Sequence, residues 1–258
     1  MESGLTRSTV PVIDMQEVAI GAMREPSLLL AEGVNWRVAP GDYWAVAGLQ
    51  GSGKSDFLMT VAGLAPPVDG NYRLFGEPMP IFEEERLNTR LRMGLVFGGG
   101  QLFNQLTVAE NVALPALYHE DLAPLQAQSQ LQRWLDAVEL TPWATRMPSS
   151  LGQNWQKRVG LARALVLQPE LLLVDDALGG LDPRHTNWWL AFLDALSQGH
   201  PLLEGRPLTL VMTTADLRPW KGHARQFAAL KNRKFTLLGS WSQLENVTDE
   251  SVQELLPT

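Results

Sequence analysis

The chain has no cysteine among its 258 residues, which excludes disulfides and thiolate metal sites and fits a reducing compartment. It also has no uninterrupted apolar run approaching the roughly 18 residues that a membrane-spanning helix requires. The opening residues Met1-Glu2-Ser3-Gly4 carry neither the basic nor the apolar region of a signal peptide. Together these absences lead to the expectation of a cytoplasmic protein. Basic residues are in deficit, with 21 Lys and Arg against 28 Asp and Glu, a formal net charge of −7. That balance argues against a broadly basic surface, and no nucleic-acid partner is expected. Internal repeats, low-complexity tracts and obvious flexible linkers are absent as well. What is present, 45% hydrophobic residues, suffices to bury a substantial core as one large domain or a domain with an inserted subdomain.

Gly48-Leu49-Gln50-Gly51-Ser52-Gly53-Lys54-Ser55 fits the pattern G-x-x-x-x-G-K-[ST]. Its setting gives the pattern mechanical meaning. Tyr43 to Ala47 reads as a buried strand and Asp56 to Ala62 as a helix, so the glycine loop lies over a helix N-terminus. Three glycines let successive backbone N–H groups converge on one anion, and the helix dipole adds about half a positive charge there. Lys54 would reach the β- and γ-phosphates of a nucleotide, and Ser55 would hold Mg²⁺. The residues point to nucleotide binding.

Before the loop, β-branched and aromatic residues at Val12 to Ile20, Val34 to Val38 and Tyr43 to Ala47 predict strands broken at Gly33 and Pro40-Gly41. After it, Pro66 to Gly70 signals a turn and Tyr72 to Phe75 a strand returning to the same antiparallel sheet. Residues 82–93 read as a charged helix and Gly94 to Phe97 as a core strand. From about 101 to 166 the pattern is helical, with the Thr107 to Glu110 spacing of a capping box. There Leu122, Leu125, Leu131, Trp134, Leu135 and Val138 form a stripe read as core, and most of the nine tryptophans are expected to pack in or against this region. Strand signals resume at Leu171 to Val174 and Leu208 to Met212, joined by a helix from Arg184 to Leu196. That alternation implies a parallel sheet with ligands at strand C-terminal ends. Phe227 to Leu230 and Phe235 to Leu238 predict a terminal hairpin.

Leu171 to Val174 deliver Asp175 and Asp176 from an apolar strand, the arrangement that presents a metal-linked carboxylate in a phosphate-loop ATPase. With Arg158-Val159-Gly160-Leu161-Ala162-Arg163-Ala164-Leu165 before it and Gly180-Leu181-Asp182-Pro183 after it, this block resembles the nucleotide-binding subunits of ABC transporters, and the resemblance spans nearly the whole chain. It implies an α/β P-loop NTPase fold of ABC type: a RecA-like parallel-sheet core, a small N-terminal antiparallel β-subdomain, and a helical subdomain inserted at about 101–166 of one domain spanning 1–258. It also implies ATP and Mg²⁺ as ligands, with Gly48 to Ser55 and Asp175 binding them and Ser55 and Asp175 on the metal. The implied partners are integral membrane permease subunits and a second nucleotide-binding subunit, in a homo- or heterodimer on the cytoplasmic face of the membrane. Gly100 to Pro115, containing Leu106-Thr107-Val108-Ala109-Glu110-Asn111-Val112, is most similar within the family to ATPases of lipid-trafficking importers that work with MCE-domain proteins.

The departures from that family's pattern fall on its hydrolytic residues. Gly98 stands where the family has a glutamine, and Gln101 lies three residues on. Asp176 stands for the catalytic glutamate, drawing the carboxylate back by about 1.5 Å, and Thr214 stands for the switch histidine. Asp176 and Thr214 are therefore the candidate catalytic residues. The signature Leu-Ser-Gly-Gly-Gln is replaced by Leu151-Gly152-Gln153-Asn154-Trp155, where Gln153 and Asn154 would crowd an approach that needs bare backbone. No aromatic residue precedes Trp36 to stack on adenine, leaving Met23 or Arg24. The resemblance with these departures implies an ATP-binding transporter subunit with weak or lost hydrolysis. Two alternatives stand beside it: a catalytically inactive pseudo-ATPase acting in assembly or regulation, and a soluble non-transport ABC ATPase.

Overall fold

The computed structural model describes residues 10–79, 86–119, 124–245 and 253–256. The chain divides into two compact units, residues 1–90 with 215–258 and residues 91–214. The first unit begins with strands β1 (Ile13–Ala22), β2 (Glu25–Val38) and β3 (Tyr43–Ala47), helix α1 (Lys54–Val61), and strands β4 (Asp69–Leu74) and β5 (Glu77–Pro78). A short helix α2 (Leu87–Leu91) precedes β6 (Met93–Val96), α3 (Val108–His119), α4 (Pro124–Ala137), α5 (Gln153–Leu165), β7 (Leu171–Val174), α6 (Pro183–Gln198) and β8 (Thr209–Thr214). The chain then returns to the first unit with β9 (Gln226–Lys231), β10 (Lys234–Gly239) and α7 (Trp241–Leu244).

In the first unit, β2, β1, β4 and β5 form an antiparallel sheet in that order. β1 buries Ile13 and Met15, then Val18 and Ile20, a parity shift made by an extra residue at Glu17, whose φ is 52°. Gly70 crosses this bulge at φ +88°, where a Cβ would sit 2.3 Å from the Glu17 carbonyl oxygen. Only glycine fits there. β3 is buried at every position and runs parallel to β9, as a continuous apolar run predicts. β9 and β10 form the expected hairpin, closed by Asn232 and Arg233, both at positive φ. The core places Trp36 of β2 against Phe57 of α1 and Phe235 of β10, with ring centroids 5.7 and 5.3 Å away. Phe57 and Phe235 stack at 5.0 Å, and this aromatic packing seats α1. The Tyr72 hydroxyl donates to the Val61 carbonyl at the end of α1, and burial pushes its pKa up, so the phenol stays neutral.

In the second unit, β6, β7 and β8 pair in parallel and in register. Helix α5 approaches β6 closely: a Cβ on Gly94 would lie 2.6 Å from the Ala164 carbonyl oxygen. The capping box forms as its spacing predicts, with Thr107 N–H donating to Glu110 Oε2 at 2.7 Å and Glu110 N–H to Thr107 Oγ1 at 3.2 Å. Buried Asn111 accepts the Phe103 N–H and donates to the Phe103, Leu106 and Thr107 carbonyls, fixing the loop that enters α3.

Several expectations change. No break occurs at Gly33; β2 continues through it, absorbing the extra residue between Ala31 and Val34 as a bulge against β1. Leu131, Trp134, Leu135 and Val138 are buried or half-buried, but Leu125 is 81% exposed, because the packed stripe begins more than a turn further along α4. Leu122 and residues 82–85 lie outside the described residues, and the expected charged helix is described only as α2. The tryptophans do not concentrate in the helical region: Trp36 and Trp44 pack in the first unit's sheets, Trp220 against Tyr43, and Trp241 against Phe227. Sheet faces recruit them for the same area-burying reason that helices do. Trp189 is fully buried, and Trp188 stacks on Phe192 at 4.9 Å.

Candidate functional site

The predicted site residues fall in both units. In the first unit, β3 ends at Ala47 and α1 starts at Lys54, so residues 48–53 form the strand-to-helix loop. Gly51 and Gly53 adopt φ +80° and +87°, conformations that cost an L-residue about 1–2 kcal/mol. A Cβ on Gly48 would come within 2.4 Å of Ser52 Oγ, and one on Gly53 within 2.9 Å of Leu30. Ser52 N–H closes the turn onto the Leu49 carbonyl at 3.1 Å. Lys54 folds back across the loop, its ammonium donating to the Gly48 and Leu49 carbonyls at 2.5 and 3.0 Å. Ser55 is the second residue of α1, and the adjacent Asp56 accepts the Met23 N–H at 2.9 Å, which ties the β1–β2 turn to the helix start. Met23 and Arg24 are both exposed on that turn.

These residues fit a polyphosphate. The loop is bare of Cβ atoms where backbone must curve around an anion. Among the described residues the buried Ser52 hydroxyl has no hydrogen-bond partner, an orphan that a phosphate oxygen would satisfy. An open cavity of about 320 Å³ borders the loop, walled by Leu29, Leu30, Leu49, Gln50 and Arg233.

In the second unit, β7 delivers Asp175 and Asp176. Asp175 N–H bonds the Val96 carbonyl at 2.8 Å. Thr213 Oγ1 donates to Asp175 Oδ1 and accepts the Asp176 N–H, both at 2.8 Å. Asp176 itself sits at φ +45°, and its carboxylate lies over Gly179, where a Cβ would be 1.8 Å from Oδ2. Thr214, the last residue of β8, is buried. Gly98 lies beside this pair: a Cβ there would be 3.5 Å from the Asp175 carbonyl oxygen and 3.8 Å from Asp175 Oδ2, in ordinary contact. Among the described residues no group of three or more His, Cys, Asp or Glu converges as a metal cage. The Asp175 carboxylate is a hard oxygen donor of the kind Mg²⁺ takes alongside substrate phosphates.

At the signature position, Gly152 is the N-cap of α5, and a Cβ there would meet nothing within 4 Å. Gln153 is exposed, while Trp155 packs against Trp143, the edge of His185 and the guanidinium of Arg158. Gln101, at φ 44°, rims an open cavity of about 400 Å³ with Phe97, Phe103, Leu114, Tyr118 and Arg163. The Arg163 guanidinium donates to the Gly100 and Gln101 carbonyls, each at 3.0 Å, and so holds that loop on α5.

Sequence reasoning missed Thr213, Asp56 and Lys157. Asp56 was adjacent to the recognised pattern, and Thr213 was visible only as the neighbour of Thr214. Lys157 carried no signal beyond its place on the helix with Arg158.

A family profile described as ABC transporter matches residues 31–179. The methionine import ATP-binding protein MetN of Lacticaseibacillus paracasei is 35% identical over 199 residues, covering 76% of this chain and 54% of that protein. The intermembrane phospholipid transport system ATP-binding protein MlaF of Escherichia coli K12 is 28% identical over 253 residues, covering 98% of this chain and 91% of that one. The chain spans 54% to 66% of the length of the methionine import proteins it matches. Among solved structures, cbiO1 of Clostridium perfringens, part of an ABC transporter complex, superposes with a TM-score of 0.76 at 20% identity, covering 94% of this chain and 93% of that one. A dimeric ATP-binding cassette bound to ADP and Pi gives the same TM-score of 0.76 at 24% identity, covering 86% and 95%. The fold is that of a P-loop ATPase cassette, and the chain belongs to the ABC transporter family.

Proposed function

We propose that this chain is the ATP-binding subunit of an ABC transporter, binding Mg·ATP through Gly48 to Ser55 and Asp175 and hydrolysing it slowly. The observation that carries the reading is the loop: two left-handed glycines, no tolerated Cβ at Gly48, and an orphaned Ser52 hydroxyl at the start of a helix. In that role Lys54 releases the Gly48 and Leu49 carbonyls and turns its ammonium to phosphate oxygens, while Ser55 and Asp175 hold the metal. Mg²⁺ supplies charge neutralisation across the phosphates when bound.

Slow turnover follows from the other half. In this reading Asp176 is the carboxylate that accepts the proton of an attacking water, but it is one carbon shorter than glutamate and lies against Gly179. Gly98 offers no side chain, and Thr214 supplies a neutral hydroxyl in place of an imidazole. A misplacement of about 1 Å costs on the order of a hundredfold in rate.

As a subunit the chain pairs with a second nucleotide-binding chain and docks on integral membrane permeases at the cytoplasmic face. Among the described residues no helix is long and apolar enough to cross a membrane, so translocation falls to those partners. The cavity lined by Phe97, Phe103, Leu114 and Tyr118 offers apolar surface for a permease segment. End-to-end similarity to an intermembrane phospholipid transport ATPase favours lipid as cargo. A pseudo-ATPase reading is favoured by one observation, the Asp176 carboxylate folded over Gly179.

Mg·ATP binding and phosphate release on the purified chain, with Lys54→Ala as the blank, test the reading. Binding abolished by Lys54→Ala with slow Lys54-dependent release is expected. Binding without any release would leave the pseudo-ATPase, and absence of binding would overturn the ATP-binding reading and leave only a pseudo-ATPase without nucleotide.

A further inference from the structure

Lys157 is 2% exposed, and its ammonium donates to two carbonyls, those of Asp176 and Gly179, each at 2.8 Å. These carbonyls lie at the two ends of one tight turn, closed by Gly179 N–H to the Asp176 carbonyl at 3.2 Å. The turn carries Asp176 at φ +45°, a conformation that a non-glycine residue keeps only when its surroundings impose it. Burial lowers the Lys157 pKa, while Asp176 and then Asp175 counter that by favouring its charge.

The lysine grows from α5, whose N-cap is Gly152, the signature position. One side chain therefore joins the start of α5 to the backbone that aims Asp176. Both acceptors are main-chain oxygens of the turn itself, and the lysine that bridges them is buried.

We propose that Lys157 is the positioning residue for the Asp176 carboxylate, coupling α5 to the hydrolytic turn so that displacement of the helix start re-aims the carboxylate. The proposal rests on the reading of Asp176 as the water-activating group. It predicts that Lys157 affects the rate of hydrolysis and leaves nucleotide affinity alone, because its two bonds hold the turn that carries Asp176, whereas the Asp175 carboxylate is oriented by Thr213.

The test uses the full chain in the native and Asp176→Glu backgrounds, with Lys157→Met removing the donors at similar volume and Lys157→Gln retaining two. Mg·ATP affinity, single-turnover hydrolysis and amide hydrogen exchange of residues 177–180 are measured. Lys157→Met is expected to lower hydrolysis roughly tenfold to a hundredfold, with affinity within about twofold, and to speed exchange in the turn. Lys157→Gln is expected to recover part of the rate. Unchanged hydrolysis, equal losses of affinity and rate, or no turnover in either background would overturn the proposal. If Lys157→Met does not fold, Lys157→Gln and the wild-type exchange decide it, and turn amides exchanging as fast as an open loop would refute it. Loss of nucleotide binding in the native chain would instead strike the ATP-binding reading, so the two failures are distinct.

Discussion

Thr213 clasps Asp175: its hydroxyl donates to Asp175 Oδ1 at 2.8 Å while accepting the Asp176 N–H at 2.8 Å. One buried hydroxyl thereby orients the carboxylate proposed to hold the metal and anchors the backbone of the next residue. Replacing it with Val keeps the shape and leaves both partners unmade, which costs about 1–3 kcal/mol for a buried polar group. Thr213→Val is expected to lower unfolding stability by about 2 kcal/mol and to weaken Mg²⁺-dependent nucleotide binding, whereas Thr213→Ser keeps both. Urea titration and binding at varied Mg²⁺ check this, and a Val variant equal to wild type would refute the clasp.

Gly98 has room. Because a Cβ there makes only ordinary contacts at 3.5 Å and beyond, Gly98→Gln is expected to fold with stability changed by no more than about 0.5 kcal/mol. Combined with Asp176→Glu and Thr214→His, it is expected to raise phosphate release by at least roughly tenfold. A triple variant as slow as the parent would place the block to hydrolysis elsewhere.

The phosphate-loop glycines differ in kind. Gly51 has φ +80° with nothing within 4 Å of a Cβ, while Gly53 has φ +87° and meets Leu30 at 2.9 Å. Gly51→Ala carries backbone strain alone, about 1–2 kcal/mol; Gly53→Ala adds a clash and is expected to be the less stable variant. Thermal unfolding of the two proteins ranks them, and the reverse order would contradict the loop geometry.

Arg92 holds Glu170 through two bonds of 2.7 and 2.9 Å, and that guanidinium is the leading cause that keeps the Glu170 pKa below its ordinary 4.5. A depressed carboxylate contributes stability that is present above 4.5 and lost as pH falls through the lower folded value. Both side chains are partly exposed, so the effect is modest. Arg92→Gln is expected to flatten the fall in stability below that pH, measured as unfolding midpoints across an acid series; an unchanged slope would remove Glu170 from the account.

Much was legible along the chain because it is written in short-range pattern. Gly48 to Ser55 reads as a phosphate loop since the glycine spacing, the strand before and the helix after are all local. The Leu171 to Val174 strand, the Thr107–Glu110 capping box and the 226–239 hairpin are local in the same way, set by apolar period, cap chemistry and turn geometry. The identities at Gly98, Asp176 and Thr214 were likewise plain, and they determine which side chains are available for hydrolysis. Tertiary structure alone decided what those side chains meet. Thr213 reaches Asp175 across 38 residues and Lys157 reaches Gly179 across 22, contacts that no periodicity encodes because they depend on how β7, β8 and α5 are placed in three dimensions. It also decided that Leu125 faces outward while Trp134 is buried on the same helix, since an apolar residue is core only where another element arrives to cover it.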